Sequence, residues 1–362
     1  MKIAVTGLRG IPGVMGGVET HCEELLVRLK RLAPEVAITV FARAPYVPAG
    51  AREHDGVRVV PVASPRSRSF EAIVATFNGV LAAKRAGADI VHIHAIGPAL
   101  LAPLARALGL RVVVTHHGED YRRAKWGFFA RQLLKLGERL ACRSADRLIV
   151  VSPSLTEKLR KAYPAAAKRI RFIPNGVPEL PPVHGDALGR LGLTPGDYII
   201  AAGRLVPEKG LHDLIDAHAL AEDPRTLVIV GGADHQSRYA SELLSRGGER
   251  VRFAGFQDRA TLHALFEHAS LFVMPSYHEG LPIAALEAAS CSTPMLLSDI
   301  MPNLDLGLGR HHYFPVGDVT ALARALGRPA ADYGVERDAL LSAFDWDRIS
   351  ERTLALYREI AG

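Results

Sequence analysis

Two carboxylates stand eight residues apart in Glu279-Gly-Leu-Pro-Ile-Ala-Ala-Leu-Glu287, on either side of a Gly-Leu-Pro turn. The apolar run Leu271–Met274 precedes them and reads as a buried parallel strand, and the residues after the turn read as a helix. Pro282 suits the first helical turn. Backbone N–H groups at such a strand–turn–helix junction suit a phosphate or a sugar hydroxyl. Glu279 would stand at the mouth of the turn. Glu287, about 1.5 turns into the helix, could accept two hydrogen bonds from a ribose diol. Two solvated acids on an ordinary turn would leave the same pattern.

Arg204 and Lys209, in Gly203-Arg-Leu-Val-Pro-Glu-Lys-Gly210, carry an electrostatic argument. A departing diphosphate gains negative charge, which a divalent ion or protein cations can stabilise. Metal-dependent transferases commonly hold that ion on an Asp-x-Asp pair, and none is expected in this chain. An Arg fork and a Lys point charge at a strand-to-helix junction can replace it.

The first strand runs into Gly7-Leu-Arg-Gly-Ile-Pro-Gly13 and then Gly16-Gly17, where glycine lets backbone approach a ligand. The spacing is not a dinucleotide fingerprint, and the second strand ends near Arg43 with no acid for an NAD ribose. His116-His117-Gly118 follows another strand. His92 and His94 alternate on one strand and share a face. With His116 and His117 they suggest zinc, but no Cys or carboxylate completes the spacing, so no metal is expected.

Taken together, these stretches resemble the retaining glycosyltransferases of family 4, which have the GT-B fold. Glu279 to Glu287 is similar to the family's E-x7-E signature. Gly16-Gly-Val-Glu19 is similar to its glycine-rich donor loop, Thr115-His-His-Gly-Glu-Asp120 to its histidine motif, Pro174-Asn-Gly-Val177 to the segment leading to the second domain, and Gly203 to Gly210 to its Arg…Lys phosphate clamp. The resemblance implies an α/β protein of two Rossmann-like domains whose parallel sheets face each other across a cleft. It implies transfer from a nucleotide-diphosphate sugar to a hydroxyl acceptor with retained anomeric configuration, without a metal or other cofactor. His117, Arg204, Lys209 and Glu279 would be catalytic. Gly16, Gly17, Arg204, Lys209, Glu279, Gly280, Leu281, Pro282 and Glu287 would bind the donor. A nucleotide-sugar epimerase of the same fold and a non-catalytic subunit that only binds the donor stay open.

A chain of 362 residues is natural for two domains, and its 48% apolar and 23% charged content describes a folded protein. Short apolar blocks between helical patterns argue for parallel sheets covered on both faces. The predicted strands are Ile3–Thr6, Val36–Ala42, Val57–Val62, Ile90–His94, Arg111–Thr115, Arg147–Ser152 and Ile170–Ile173, then Tyr198–Ala202, Leu227–Val230, Val251–Phe253, Leu271–Met274 and Met295–Ser298. The predicted helices include Val18–Leu32, Ser69–Arg85 and Trp126–Cys142. Pro174–Thr194 reads as a linker. The expected domains are residues 1–180 for the acceptor and 181–345 for the donor. A last helix over 346–362 crosses back to the first domain, as the resemblance implies.

Residues 1–180 carry 28 Lys and Arg against 14 Asp and Glu, a balance of +14, while the remainder balances at −8. A basic first half favours an anionic surface near it. Asp120, Arg122, Arg123 and Lys125, with the basic, aromatic segment that follows, are the expected contacts for a lipid-linked or glycan acceptor or for the membrane. An amphipathic core helix with a solvated basic face would look similar. No element suited to reading nucleic acid is recognisable. The three cysteines are far apart and read as reduced thiols of a cytoplasmic protein, placed on the inner face of the plasma membrane if the basic surface docks there.

Overall fold

The computed structural model describes residues 1–14, 16–65, 70–123, 126–178, 180–182, 186–233 and 237–362. They form two compact units, Met1–Gly176 with Asp345–Gly362, and Val177–Phe344. Among the described residues, no helix is long and apolar enough to cross a membrane.

The first unit holds strands β1 (Lys2–Thr6), β2 (Ala37–Arg43), β3 (Arg52–His54), β4 (Val57–Val62), β5 (Ile90–His94), β6 (Arg111–His116), β7 (Arg147–Val150) and β8 (Ile170–Phe172). They lie in the order β3-β4-β2-β1-β5-β6-β7-β8. All neighbours are parallel except β3, which pairs antiparallel with β4. Alternation along the strands splits the core. Ile3 and Val5 pack on one face with the helix Gly17–Leu32 and the C-terminal helix Trp346–Ala361. Ala4, Val91, Ile93, Val112 and Val114 pack on the other, under Glu71–Arg85 and Phe128–Ser144.

The C-terminal helix belongs to the first unit because its apolar stripe is buried there. Trp346, Ile349, Leu356, Tyr357 and Ile360 are each at most 7% exposed. Burying a large apolar side chain is worth about 1.5–3 kcal/mol, so this helix is firmly held. Asp345 caps it, accepting from the Arg348 N–H at 2.8 Å.

The second unit holds β9 (Tyr198–Ala202), β10 (Thr226–Val230), β11 (Val251–Gly255), β12 (Leu271–Met274), β13 (Met295–Ser298) and β14 (Tyr313–Phe314), in the order β11-β10-β9-β12-β13-β14, all parallel. Strands β3 and β14 were not predicted. The predicted linker contains a short helix, Ala187–Arg190. Asp186 accepts from the Gly189 N–H at 2.7 Å, and Ala187 and Leu188 are buried. Two predicted helices, over Ser69–Arg85 and Trp126–Cys142, begin later, at Glu71 and Phe128; Ser69 itself lies outside the described residues.

Strand order fixes where ligands can collect. In each sheet the chain builds to one side of its first strand and then crosses to the other. The crevice at that switch lies beyond the carboxyl ends of β1 and β5 in the first unit, and of β9 and β12 in the second.

Candidate functional site

In the second unit, β9 delivers Gly203 and Arg204 to the switch point. The loop then makes a tight turn over Pro207–Lys209. Gly210 has φ +63°, and a Cβ there would stand 2.1 Å from the Pro275 carbonyl oxygen. Only glycine lets the loops after β9 and β12 touch in this way. The contact places Lys209 beside Glu279. Lys209 Nζ lies 2.6 Å from Glu279 Oε1, and the Ser276 hydroxyl donates to the same oxygen at 2.6 Å.

Hydrogen bonds from Ser298 and Asn303 hold Ser276 in turn. Its carbonyl accepts from the Ser298 hydroxyl at 2.6 Å, and the Asn303 amide donates to the Ser298 carbonyl at 2.9 Å. Burial pushes the Glu279 carboxyl up, but the adjacent Lys209 charge and the hydrogen bonds from Lys209 and Ser276 outweigh it and hold the acid below its usual value. Glu279 is therefore ionised and paired. Arg204 and Glu287 are half-buried, and Leu281 and Pro282 are buried at the turn. Pro282 does not enter the first helical turn as expected. It is the residue before the helix Ile283–Ser290, at φ −77° and ψ 95°, and its carbonyl opens the helix by accepting from Ala285 at 3.1 Å.

In the first unit, Gly16 begins the helix Gly17–Leu32 at φ 144°. A Cβ there would stand 2.2 Å from a Glu19 carboxylate oxygen, so glycine makes room for that side chain as well as for any ligand. Glu19 accepts from the Arg9 N–H at 2.9 Å and ties the loop to the helix.

The histidines sort themselves differently from the set considered in the sequence. His116 accepts from the Gly118 N–H at Nδ1 and therefore donates from Nε2 to Glu138, 3.1 Å away. His92 lies between the Tyr357 hydroxyl at 2.6 Å and the Thr115 hydroxyl at 2.7 Å. His117 instead meets His94, with Nε2 3.0 Å from His94 Nδ1, and packs edge-on to His21 at 4.9 Å. His21 is a residue the sequence reasoning did not single out. A ring nitrogen from each of His21, His94 and His117 lies within 4.8 Å of the others. Burial pushes all three imidazoles down, His21 to about 4, with Asn175 pulling weakly the other way. All three are neutral at pH 7.

Contrary to the expectation that it has none, the chain holds one Asp-x-Asp pair, Asp345-Trp-Asp347. Asp345 is the helix cap already described, and Asp347 faces Arg28 at 3.4 Å. The structure thus gives both acids roles inside the first unit.

Arg122 pairs with Glu119 at 2.8 Å, and Arg123 with Asp120 at 3.0 Å. Much of the charge expected to meet an anionic surface there is balanced by neighbours. Lys125 lies outside the described residues. The exposed cations continue on the helix Phe128–Ser144, where Arg131, Lys135, Arg139 and Arg143 accompany Phe128 and Phe129, 69% and 87% exposed, and the exposed Leu133 and Leu136.

Comparison with known proteins agrees with this architecture. The model of the family described as Glycosyltransferase Family 4 matches residues 15–179, and that of Glycosyl transferases group 1 matches residues 192–327. The alpha-maltose-1-phosphate synthase of Mycobacterium tuberculosis is 29% identical, over 99% of this chain and 100% of its own. Among solved structures, sucrose-phosphate synthase from Thermosynechococcus elongatus aligns with a TM-score of 0.80 at 23% identity, covering 99% of this chain and 98% of its own. Anabaena HepE in complex with UDP-glucose aligns at 0.76 and 19% identity, covering 99% and 100%. The fold is GT-B. The chain belongs with the family 4-like glycosyltransferases and is a glycosyltransferase.

Proposed function

We propose that this enzyme transfers a glycosyl unit from a nucleotide-diphosphate sugar to a hydroxyl acceptor, with retention and without a metal, in the synthesis of a cell-surface polysaccharide or glycolipid. The observation that carries the reading is the Lys209–Glu279 pair at the β9/β12 switch point, with Arg204 at the end of the same strand. This is a buried carboxylate for sugar hydroxyls set against cations for a diphosphate. The relatives' names support this reading: one was solved in complex with UDP-glucose, and two are named as synthases of sugar phosphates.

In the proposed step the bond from the sugar anomeric carbon to the diphosphate oxygen breaks, and a bond to the acceptor oxygen forms on the same face. The acceptor proton passes to the leaving phosphate. Arg204 and Lys209 stabilise the departing diphosphate. Glu279 accepts from sugar hydroxyls, with Gly280, Leu281 and Pro282 shaping the turn, and Glu287 accepts from the ribose. Gly16 and Gly17 let the first loop approach the donor. His117 contacts a sugar hydroxyl. The acceptor belongs to the first unit, which docks through the helix Phe128–Ser144 on the anionic inner face of the plasma membrane. Exposed phenylalanines beside four cations suit that surface better than open water.

A thermal-shift screen of nucleoside diphosphates tests the reading. A ligand at a hundredfold excess over its dissociation constant should raise stability by about 2.7 kcal/mol. No response to any nucleotide would refute it.

A further inference from the structure

His21 is 2% exposed, near the start of the helix Gly17–Leu32. Its Nδ1 lies 2.9 Å from Asn175 Oδ1. A carbonyl oxygen only accepts, so this ring carries its proton on Nδ1 and bares a lone pair on Nε2. That nitrogen is buried and, among the described residues, has no hydrogen-bond partner. Leaving such an acceptor unmet costs stability, so its persistence beside His117 needs a reason.

The surroundings narrow the missing partner. His94 and His117 already share one hydrogen bond at 3.0 Å. Trp346 closes another side, its ring 5.4 Å from His21 and directly over Gly176, where a Cβ would stand 2.6 Å from the indole. Among the described residues, a metal ion here would meet three imidazoles and no carboxylate. A neutral O–H donor needs only the lone pair on Nε2, and the proposed substrates are rich in hydroxyls.

We propose that His21 is a substrate-binding residue whose Nε2 accepts a hydrogen bond from a substrate hydroxyl, and that Asn175 is the positioning residue that keeps this nitrogen bare. The inference rests on the glycosyltransferase reading for the identity of the hydroxyl, which belongs either to the acceptor or to the donor sugar.

Imidazole nitrogen NMR on the ligand-free protein tests the first half. His21 should be neutral and protonated on Nδ1 from pH 6 to 8, and Asn175→Ala should scramble the tautomer. A proton on Nε2 in the wild type would overturn the proposal. His21→Asn tests the second half, since its amide keeps the bond to Asn175 and removes the acceptor. Transfer kcat/KM should fall about tenfold with the melting temperature nearly unchanged, the expected cost of one lost hydrogen bond. A fall confined to transfer assigns the hydroxyl to the acceptor; an equal fall in hydrolysis of UDP-glucose assigns it to the donor. Wild-type transfer by His21→Asn would overturn the proposal, as would stoichiometric Zn²⁺ binding that His21→Asn abolishes. If the wild type turns over no nucleotide sugar, the functional reading fails by itself. The inference is then decided by the His21 Nε2 resonance on adding glucose: a shift supports it, and none overturns it.

Discussion

The two switch points treat charge in opposite ways. In the second unit the crevice presents an ion pair, Lys209 with Glu279, and the carboxylate is held ionised despite its burial. In the first unit the matching crevice presents His21, His94 and His117, all held neutral by burial. Both sites are parallel-sheet switch points, so the fold does not explain the contrast; the side chains do. On the proposed function, fixed charges would answer a diphosphate, whose charge grows as the bond breaks. On the same proposal, neutral imidazoles would answer hydroxyls. The comparison teaches that one fold can build a charged crevice and a neutral one from side chains alone.

The largest effect should come from removing the charges. Arg204→Ala or Lys209→Ala should lower turnover about 10²–10³-fold, the usual cost of one such donor. Near-normal turnover in both variants would break the contrast at its charged end.

Acid tests the neutral end. Burial depresses the His21 pKa to about 4 from an unfolded value of 6.5, so below 6.5 the unfolded state binds the extra proton. Stability should fall as pH drops from 6.5 toward 4, by about 3 kcal/mol for His21 alone. His92, pushed down to about 3 chiefly by burial, adds a loss of the same sign. Denaturant unfolding at pH 7 and pH 4.5 measures it, and His21→Asn should flatten part of the slope. An unchanged slope would mean that His21 is not held neutral by the fold.

A finer division lies within the charged half. Glu287→Ala should weaken binding of free nucleoside diphosphate. Glu279→Ala should leave that binding intact or tighten it, because Lys209 is released from its 2.6 Å partner, while transfer falls. Equal loss of affinity in both variants, read by calorimetry, would remove the proposed roles.

The smallest effect belongs to the surface. Each cation near an anionic membrane contributes about 1 kcal/mol, and salt screens it. Co-sedimentation with anionic vesicles should fall steeply with salt. Phe128→Ser with Phe129→Ser should weaken it without touching nucleotide binding. Reversal of Arg122 and Arg123 should matter less, since Glu119 and Asp120 already pair with them. Salt-insensitive or absent co-sedimentation would leave the basic face as a solvated surface.

Much of this was legible in the sequence. Buried parallel strands announce themselves as apolar runs, and the loops after β9 and β12 sit where those runs end. Two strands escaped. β3 is Arg-Glu-His at a sheet edge, with little apolar pattern, though the Asp55-Gly56 turn between it and β4 was a signal for the hairpin. β14 has two residues. His21 escaped because a single histidine on an amphipathic helix looks like any core position. Only its place four residues past Gly17, beside the glycine loop, pointed to the crevice. Asn175 looked like linker, since a partner 154 positions away leaves no local trace.

Turnover of UDP-glucose and other nucleotide sugars in the presence of EDTA, with a panel of hydroxyl acceptors, tests the central claim most directly. Protein cations in place of a metal predict release of nucleoside diphosphate at the same rate in EDTA as in Mg²⁺, and a large loss in Lys209→Ala. Activity that vanishes in EDTA and returns with Mg²⁺ would contradict the account.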